Sequence, residues 1–492
     1  MPNFRTVRTF LLVIGLFILY AFGVEATEIN LERPLEPTRQ DNVLRVLRLL
    51  ADPDFFSVDE ETGRIALSET SQITLERIVE TILMALLAST FGTILAVPVS
   101  FLAARNLMEN VTAPLAGIMA AVAALPVGVL GGAILTTEII RWSTSLTAQP
   151  LVGVALLVLS LALLWAGLRI GMPEDESAAS RTLLLVRFLG LFLLLLFVLG
   201  LSANFGRPVG EWLEDNLGFL GFLGNFIVVG SDFILILLPA VVGLIAGLLA
   251  ASLGSRYGQE AILRLSNTPA RLATAVLAAL GTAVLIYGIG SGLNWLYQYT
   301  NPEYVTTIPA AVGAAVMAVI GFLIDPKRPF AIGLVIYTIS RSILNALRSI
   351  EPLILGIVFV VWVSLGPFAG VMALSLHSIA ALGKLFSEQV EGISEGPMEA
   401  IIATGANRLQ MIVFAVIPQI IPPFTAFTFY RWDINVRLST IIGFIGGGGI
   451  GFVLAQNIRQ LRYSQASVMM LAIAIVVATL DYASSKIRSR II

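Results

Sequence analysis

The sequence has 492 residues, of which 57% are apolar and 13% charged, and its mean hydropathy is +0.90. Soluble domains carry about 25% charged residues, so this composition excludes an ordinary soluble protein. The net charge of −2 creates no field that would recruit nucleic acid. With no cysteine and a single histidine, His377, the sequence offers no disulfide framework and no Cys/His metal site, and we expect no cofactor.

The first part of the chain predicts two membrane helices separated by a polar segment. Two arginines precede the first apolar run, 10–24, which predicts a transmembrane anchor over 1–24 with its N-terminus in the cytoplasm. A cleaved signal peptide is the alternative, because the apolar core is short. Residues 25–75 are polar, contain an amphipathic stretch at 43–50, and are expected outside the cell membrane. Residues 76–107 predict the first helix of a membrane core.

Six further apolar runs follow, each about 20 residues long and therefore long enough to cross a bilayer. They lie near residues 112–135, 150–170, 182–203, 228–253, 269–290 and 306–324. Basic residues flank every second loop, so this even number of spans begins and ends on the cytoplasmic side. We predict that residues 108–327 form an inserted six-helix membrane bundle, whose role the sequence does not reveal.

Residues 328–492 predict the rest of the membrane core. Gly366 and Pro367 interrupt an apolar stretch at 353–380, which predicts two spans joined by an outer turn. The alternative is a single long span, preceded by a separate helix at 330–347.

The last part of this core contains a long polar stretch, 381–410, which is expected in the cytoplasm as part of a loop at 381–418. The final span at 468–480 is followed by basic residues, so the C-terminus is also expected inside. The total is about 12 helices. The predicted fold class is therefore an all-α polytopic membrane protein.

Gly446, Gly448 and Gly451 satisfy the glycine spacing of a dinucleotide-binding turn, G-x-G-x-x-G. That motif requires a preceding strand and a βαβ unit, whereas these glycines lie between apolar runs, so we interpret them as a tight re-entrant turn. The phosphate-binding sequence G-x-x-x-x-G-K-[ST] does not occur. We therefore predict that the chain is not an enzyme, and that any ATPase site belongs to another subunit.

The most specific signal is formed by Glu399 and Ala400, then Gly405, then Pro418. Their spacing resembles the cytoplasmic signature loop of ABC importer permeases, E-A-A, three residues, G, nine residues, I-x-L-P. The resemblance implies that residues 399–418 couple the chain to a separate ATPase. Locally, Gly405 permits a sharp turn and Pro418 is expected to start the next helix. An ordinary capped loop is the alternative.

The sequence around this loop looks like the phosphonate-type branch of the same permeases. The resemblance covers roughly residues 70–107 and 328–492, and its motifs lie at 366–370, 374–378, 383–385, 404–410, 430–431, 435–437 and 448–451. It implies a type I ABC importer permease core, with five core helices plus an N-terminal helix, that imports a phosphonate or a related phosphorus oxyanion such as phosphite or phosphate. The alternative function is an ion-coupled secondary transporter, for which twelve spans would be natural.

The resemblance also implies partners and a location. The partners are an ATP-binding-cassette ATPase dimer, an extracytoplasmic substrate-binding protein and membrane lipid, with no nucleic acid. Because one signature loop is present, the chain is expected to form half of a pore that a second copy or a sister permease completes. The implied location is the prokaryotic inner (cell) membrane, with both termini in the cytoplasm.

Polar residues of the predicted fourth core helix are candidates for the transport pathway. Arg437, with Asn435, Ser439 and Thr440, offers hydrogen-bond donors to an oxyanion. A guanidinium suits tetrahedral phosphorus because its fork can bind two oxygens at once. A structural ion pair between Arg437 and Asp433, spaced i, i+4, is the alternative.

Three further basic residues have simpler interpretations. His377 lies in an apolar helix and is interpreted as a packing residue, with pathway lining or gating as the alternative. Arg341 and Arg348 belong to an amphipathic stretch and are interpreted as anchors at the membrane interface.

Overall fold

The computed structural model describes residues 4–30, 32–58, 65–169 and 178–491. The chain divides into two compact units. Unit 1 comprises Met1–Asn110 and Gly333–Ile492, and unit 2 comprises Val111–Ile332. The sequence predicts the inserted bundle at 108–327, which differs from unit 2 by a few residues at each end.

Unit 1 begins with two helices, a hairpin and a long third helix. The elements are α1 (Phe4–Ala26), α2 (Pro37–Leu50), β1 (Phe56–Val58), β2 (Ile65–Leu67), α3 (Glu69–Leu102) and α4 (Arg105–Met108). The hairpin is antiparallel, with Phe56 opposite Leu67. Ser68 caps α3, because its side-chain oxygen accepts the Ser71 N–H at 3.1 Å.

The described residues of unit 2 form six long helices between two short strands. The elements are β3 (Ala113–Pro114), α5 (Leu115–Thr147), α6 (Pro150–Arg169), α7 (Ala178–Asn216), α8 (Gly221–Arg264), α9 (Asn267–Tyr297), α10 (Thr307–Leu323) and β4 (Pro329–Phe330). β3 pairs with β4, Ala113 opposite Phe330, so the two ends of the unit lie side by side. α5 packs closely on α8: a Cβ at Gly132 would lie 2.9 Å from the Val242 carbonyl oxygen, so only glycine permits this approach.

The second part of unit 1 contains eight more helices. They are α11 (Ile332–Ser349), α12 (Pro352–Val363), α13 (Pro367–Glu391), α14 (Glu395–Ala403), α15 (Arg408–Met411), α16 (Ile417–Gly443), α17 (Gly449–Arg459) and α18 (Tyr463–Ile491), with a π-helical segment at Ile412–Val416. α3, α13 and α16 pack on one another at the centre of the unit. Phe386 and Phe424 stack there, with 3.9 Å between ring centroids.

Eleven helices of the described residues are long and apolar enough to cross a membrane, and the number is twelve if the bent pair α11 and α12 forms one span. This result confirms the predicted all-α polytopic fold with about 12 membrane helices. Each of the six runs predicted between 112 and 324 corresponds to one helix of unit 2. Most of these helices extend beyond the apolar run, because polar residues at their ends continue the helix into the loops.

The segment from 330 to 391 differs from both interpretations of the sequence. α11 and α12 meet at 88°, and α12 has 12 residues, about 18 Å, which is too short to cross a bilayer alone. α13 then starts anew, since Gly366 has a φ of +146° and Pro367 opens the helix. The single long span is therefore wrong, and the first of the two predicted spans is a bent pair.

Candidate functional site

Two of the predicted coupling residues, Glu399 and Ala400, lie on a short helix at the surface of unit 1. One side of α14 faces the core of unit 1, because Met398 packs against the buried cluster that includes Phe386 and Val416. Glu399 and Ala400 are exposed. The apolar side of α14 is thus held by the membrane core. Its other side presents a carboxylate and a small residue to whatever approaches.

A turn and a capped helix follow α14. Gly405 adopts a φ of +80°, the left-handed conformation that an L side chain rarely adopts, and its N–H donates to the Ile402 carbonyl oxygen at 2.9 Å. Asn407 and Gln410 then cap each other: each backbone N–H donates to the other side chain at 2.9 Å. This reciprocal capping box fixes where the next helix begins.

Pro418 lies in the first turn of α16, where the sequence predicted that a helix begins, although helical structure already precedes it. The chain is helical from Arg408, and Pro418 lies at the second position of α16, directly after the π-helical segment. A proline lacks an N–H and clashes with the carbonyl four residues earlier, and the wider π turn removes this conflict. Gln419 ties the two helices together, because its Oε1 accepts the Ser394 N–H at 2.9 Å and its Nε2 donates to the Ala415 carbonyl oxygen at 2.8 Å.

A cleft of about 540 Å³ lies behind α14, and Glu391, Glu395, Met398 and Ile402 are among the residues that line it. Beside it lies Arg341, which contacts three acceptor groups on two other helical segments of unit 1 that are far apart from it in the sequence. Its guanidinium donates to the Ala103 carbonyl oxygen at 3.2 Å, to Ser387 Oγ at 3.3 Å and to Glu391 Oε1 at 3.1 Å. Arg341 thus joins α11 to the ends of α3 and α13, a role that the interpretation as an interface anchor missed.

A second cluster of polar side chains lies near the middle of the central helices. Asn435 on α16 is fully buried, and its Nδ2 donates at 2.9 Å both to Ser89 Oγ on α3 and to Ser378 Oγ on α13. Arg431, one turn earlier on α16, donates from Nε to the same Ser378 Oγ at 3.0 Å. The four side chains connect the three helices through hydrogen bonds alone.

The other predicted pathway residues have local partners. Arg437 donates to Asp433 Oδ2 at 2.6 Å and lies 3.8 Å from Asp481. The Ser439 and Thr440 hydroxyls donate to the carbonyl oxygen of Val436, at 2.8 and 3.5 Å, within their own helix. The ion pair that the sequence left open as the alternative for Arg437 is therefore present, and the pathway role of these residues stays a prediction.

His377 and Arg431 each carry a buried nitrogen without a hydrogen-bond partner, Nδ1 in the histidine and Nη2 in the arginine. His377 is half-buried on α13, directly before Ser378. Arg431 is 6% exposed and was not among the predicted site residues. The resemblance motif at 430–431 contains Arg431, but sequence alone does not reveal which face of a helix is enclosed.

The glycine-rich segment forms a tight turn between α16 and α17. Gly446, Gly448 and Gly449 have positive φ values of +99°, +80° and +69°. The start of α17 is bound by α3: the Gly449 N–H donates to Glu80 Oε1 at 2.9 Å and the Ile450 N–H to Thr81 Oγ1 at 2.8 Å. A side-chain carboxylate thus occupies the helix N-terminus, which is incompatible with a phosphate-binding turn at this place. Across the described part of the chain, no three His, Asp or Glu side chains are grouped to hold a metal.

Comparison with known proteins identifies the part of the chain that carries these features. Residues 329–485 match the family described as the inner membrane component of binding-protein-dependent transport systems. The phosphite transport system permease protein PtxC of Stutzerimonas stutzeri is 37% identical over 195 residues, which are 40% of this chain and 70% of that protein. A permease named for a cryptic phosphonate transport system of Escherichia coli K12 is 41% identical over 121 residues, 25% of this chain and 99% of the relative.

A third relative is named for another phosphorus anion. The phosphate-import permease protein PhnE of Mycolicibacterium smegmatis is 38% identical over 157 residues, which are 32% of this chain and 30% of that protein. These matches confirm the resemblance that the signature loop and its flanking motifs predicted. The chain therefore belongs to the family of inner membrane components of binding-protein-dependent transport systems, and it is a multi-pass permease of the ABC importer class.

Proposed function

We propose that this permease forms half of the membrane pathway of an ATP-driven importer for a phosphorus oxyanion: a phosphonate, phosphite or phosphate. The relatives named for phosphite, phosphonate and phosphate transport support this substrate class. An ion-coupled secondary transporter is not favoured, because the family's members work with a binding protein. The structure contributes a buried cluster of hydrogen-bond donors, including a guanidinium, in the central helices.

The observation that carries the coupling part of the proposal is the construction of α14 and its loop. Glu399 and Ala400 are exposed on a helix whose opposite side is anchored in the core, and Gly405 turns the chain sharply after it. Gln419 connects the start of α14 to α16, the helix that carries Arg431 and Asn435. A displacement of α14 by an ATPase would be transmitted through Gln419 to α16, and so to the helix that carries the polar cluster.

The proposed assembly places this loop in the cytoplasm, where ATP is available. The excess of basic residues in alternate loops supports this orientation and a cytoplasmic location of both termini. The proposed partners are an ATPase dimer bound at α14, a second copy or sister permease, and an external binding protein that delivers the anion. The residues of unit 2 are proposed to form a separate membrane bundle that takes no direct part in transport.

The test is reconstitution of the permease with the proposed ATPase and binding protein. We expect the isolated permease to hydrolyse no ATP, and the complete assembly in proteoliposomes to take up labelled phosphite, phosphate or methylphosphonate only when ATP is enclosed. Competition among the three unlabelled anions identifies the preferred substrate. Uptake driven by an ion gradient without ATP, or an assembly that transports none of the three anions, would contradict the proposal.

A further inference from the structure

The central helices of unit 1 enclose a positive charge that lacks a counterion. Arg431 is 6% exposed, its Nε is held by Ser378, and its Nη2 has no hydrogen-bond partner. We propose that the Arg431 guanidinium binds the phosphorus oxyanion during its passage through the membrane. This inference rests on the proposed function and assigns the anion-binding group to a residue that lies in one of the resemblance motifs, 430–431, but was not among the predicted pathway residues.

The depth of Arg431 in the membrane is the first argument. It lies near the middle of α16 (Ile417–Gly443), so about 20 Å of helix separates it from each end. Its partner Ser378 lies near the middle of α13 (Pro367–Glu391). The guanidinium is therefore near the centre of the hydrocarbon region, where an ionised side chain is costly and usually serves an ion or substrate pathway.

The charge balance is the second argument, and Arg437 provides the contrast. The Arg437 side chain is 51% exposed and pairs with two carboxylates, Asp433 and Asp481. Within the described part of the chain, no Asp or Glu oxygen is recorded within 4.0 Å of Arg431. Because a buried guanidinium is stabilised mainly by an anion that binds it, the unpaired arginine of the two is the one whose charge a transported anion would balance.

The hydrogen-bond geometry is the third argument. Ser378 Oγ accepts from Arg431 Nε at 3.0 Å and from Asn435 Nδ2 at 2.9 Å, and Asn435 is held in turn by Ser89 at 2.9 Å. This chain of bonds holds the Nε edge of the guanidinium, while the buried Nη2 has no hydrogen-bond partner. A planar donor held in one orientation suits an oxyanion of tetrahedral phosphorus, because little order is lost when the anion arrives.

The test compares four variants of the complete transporter in proteoliposomes. Arg431→Met removes the charge at similar volume, and Arg431→Lys keeps the charge without the fork. Arg437→Met removes the paired arginine of the same helix. Arg141→Met removes an exposed arginine of unit 2 that pairs with Glu138, and serves as the control for loss of a positive charge. The readouts are uptake of labelled phosphite, phosphate and methylphosphonate per assembled complex, and the thermal stability of that complex.

We expect Arg431→Met to lower uptake at least about tenfold for every anion that the wild type transports, since a charge-assisted hydrogen bond is lost. Its thermal stability is expected to stay equal or rise, because an uncompensated buried charge is removed. Arg431→Lys is expected to retain more uptake than Arg431→Met, and Arg141→Met to transport like the wild type. A purely structural Arg431 would produce the opposite pattern, in which stability falls and uptake per assembled complex is unchanged.

Each outcome separates this inference from the proposed function. If the wild type takes up one of the anions and Arg431→Met takes it up equally well, the assignment of Arg431 is wrong and the proposed function stands. If the wild type takes up none of them, the proposed function itself fails. Should Arg431→Met fail to assemble, Ser378→Ala decides the matter: it frees the guanidinium edge, so an uptake loss of about threefold is expected, and unchanged uptake in both Ser378→Ala and Arg431→Lys overturns the proposal.

Discussion

Units 1 and 2 bury different kinds of polar side chain. In the described residues of unit 2, every buried polar side chain is a serine or threonine, and hydroxyls such as those of Thr136 and Thr274 donate to a carbonyl oxygen of their own helix at 2.8 Å. Unit 1 buries Arg431, Asp433 and Asn435 as well. Hydroxyls bonded within a helix are inexpensive in a membrane, whereas buried charges and amides need a partner from elsewhere.

This difference indicates that the two units have different roles. The helices of unit 2 approach one another through glycines, as at Gly132, and among its described residues the buried polar side chains include no charged group that would need an ion or substrate as its partner. The centre of unit 1 contains such groups, and the family match at 329–485 falls on it. We infer that unit 1 carries transport and that unit 2 is a membrane scaffold, and four experiments test this division.

The largest effect is expected from removing unit 2. Joining Asn110 to Gly333 by a linker of about four residues should reduce the amount of protein in the membrane, because six of the apolar spans are lost. Uptake per assembled complex should stay within about twofold of the wild type, because the buried charged side chains among the described residues all belong to unit 1. The measurement is phosphite uptake normalised to purified complex.

The orientation of the shortened protein provides the control. The chain contains no cysteine, so a single Lys384→Cys replacement reports the side of the membrane on which that residue lies. Labelling from outside the cell, or a complete loss of uptake by a deletion protein that still assembles with its ATPase, would show that unit 2 does more than support the membrane core.

The next largest effect is expected at Gly405. Gly405→Val forces a β-branched residue into a φ of +80°, which costs about 2 kcal/mol or redirects the turn, although no atom within 4 Å would meet the new Cβ. We expect uptake to fall about tenfold while ATP hydrolysis continues in the assembled complex. Gly405→Asn should retain most of the uptake, because asparagine tolerates the left-handed conformation.

Gly396→Val is the matched control for this variant. Gly396 lies on α14 itself, has an ordinary φ, and has open space around its Cβ position. Its replacement by valine should leave transport near the wild-type level. Equal losses in the two variants would mean that bulk on the loop, and not the left-handed turn, disturbs the contact with the ATPase.

Much of this architecture follows from the sequence, because apolar runs and basic loops are local signals. The six spans of unit 2 and the sharp turn at Gly405 need only the residues within one segment. The bend between α11 and α12 is harder to foresee, since it depends on how Pro352 and Gly366 divide one apolar stretch. The hydropathy of this stretch predicts membrane helices, but it does not predict the angle between them.

The polar cluster shows why site residues are harder to predict than spans. Asn435 was recognised as a pathway candidate, but its partners Ser89 and Ser378 lie 346 and 57 residues away in the chain. Arg431 and Arg437 are equivalent in a hydropathy pattern. They differ in the structure because Arg431 is buried and bonded to Ser378 on α13, whereas Arg437 pairs with Asp433 one turn before it on α16.

A smaller effect, on stability, is expected from breaking the ion pair between Arg437 and Asp433. Arg437→Met leaves Asp433, which is 3% exposed, without its partner and should lower the free energy of unfolding by about 2 kcal/mol. Because Arg437 is half exposed, the loss should be smaller than for a fully buried pair. Thermal melting of the complex in detergent measures this loss of stability.

The double variant Asp433→Asn with Arg437→Met should recover most of the loss. A double variant as unstable as the sum of both single variants would refute the pairing.

The smallest effect on transport is expected from two neighbouring glycines of unit 2. A Cβ at Gly132 would lie 2.7 Å from the Ala246 Cβ and 2.9 Å from the Val242 carbonyl oxygen, whereas a Cβ at Gly131 would meet nothing within 4 Å. Gly132→Leu should therefore push α5 from α8 and lower stability by about 2 kcal/mol. Gly131→Leu should be tolerated, because its side chain points away from that interface.

Neither variant should change uptake per assembled complex by more than about twofold if unit 2 is a scaffold. A Gly132→Leu protein that assembles normally but transports poorly would break the division of roles, since it would link the packing of unit 2 to the transport step.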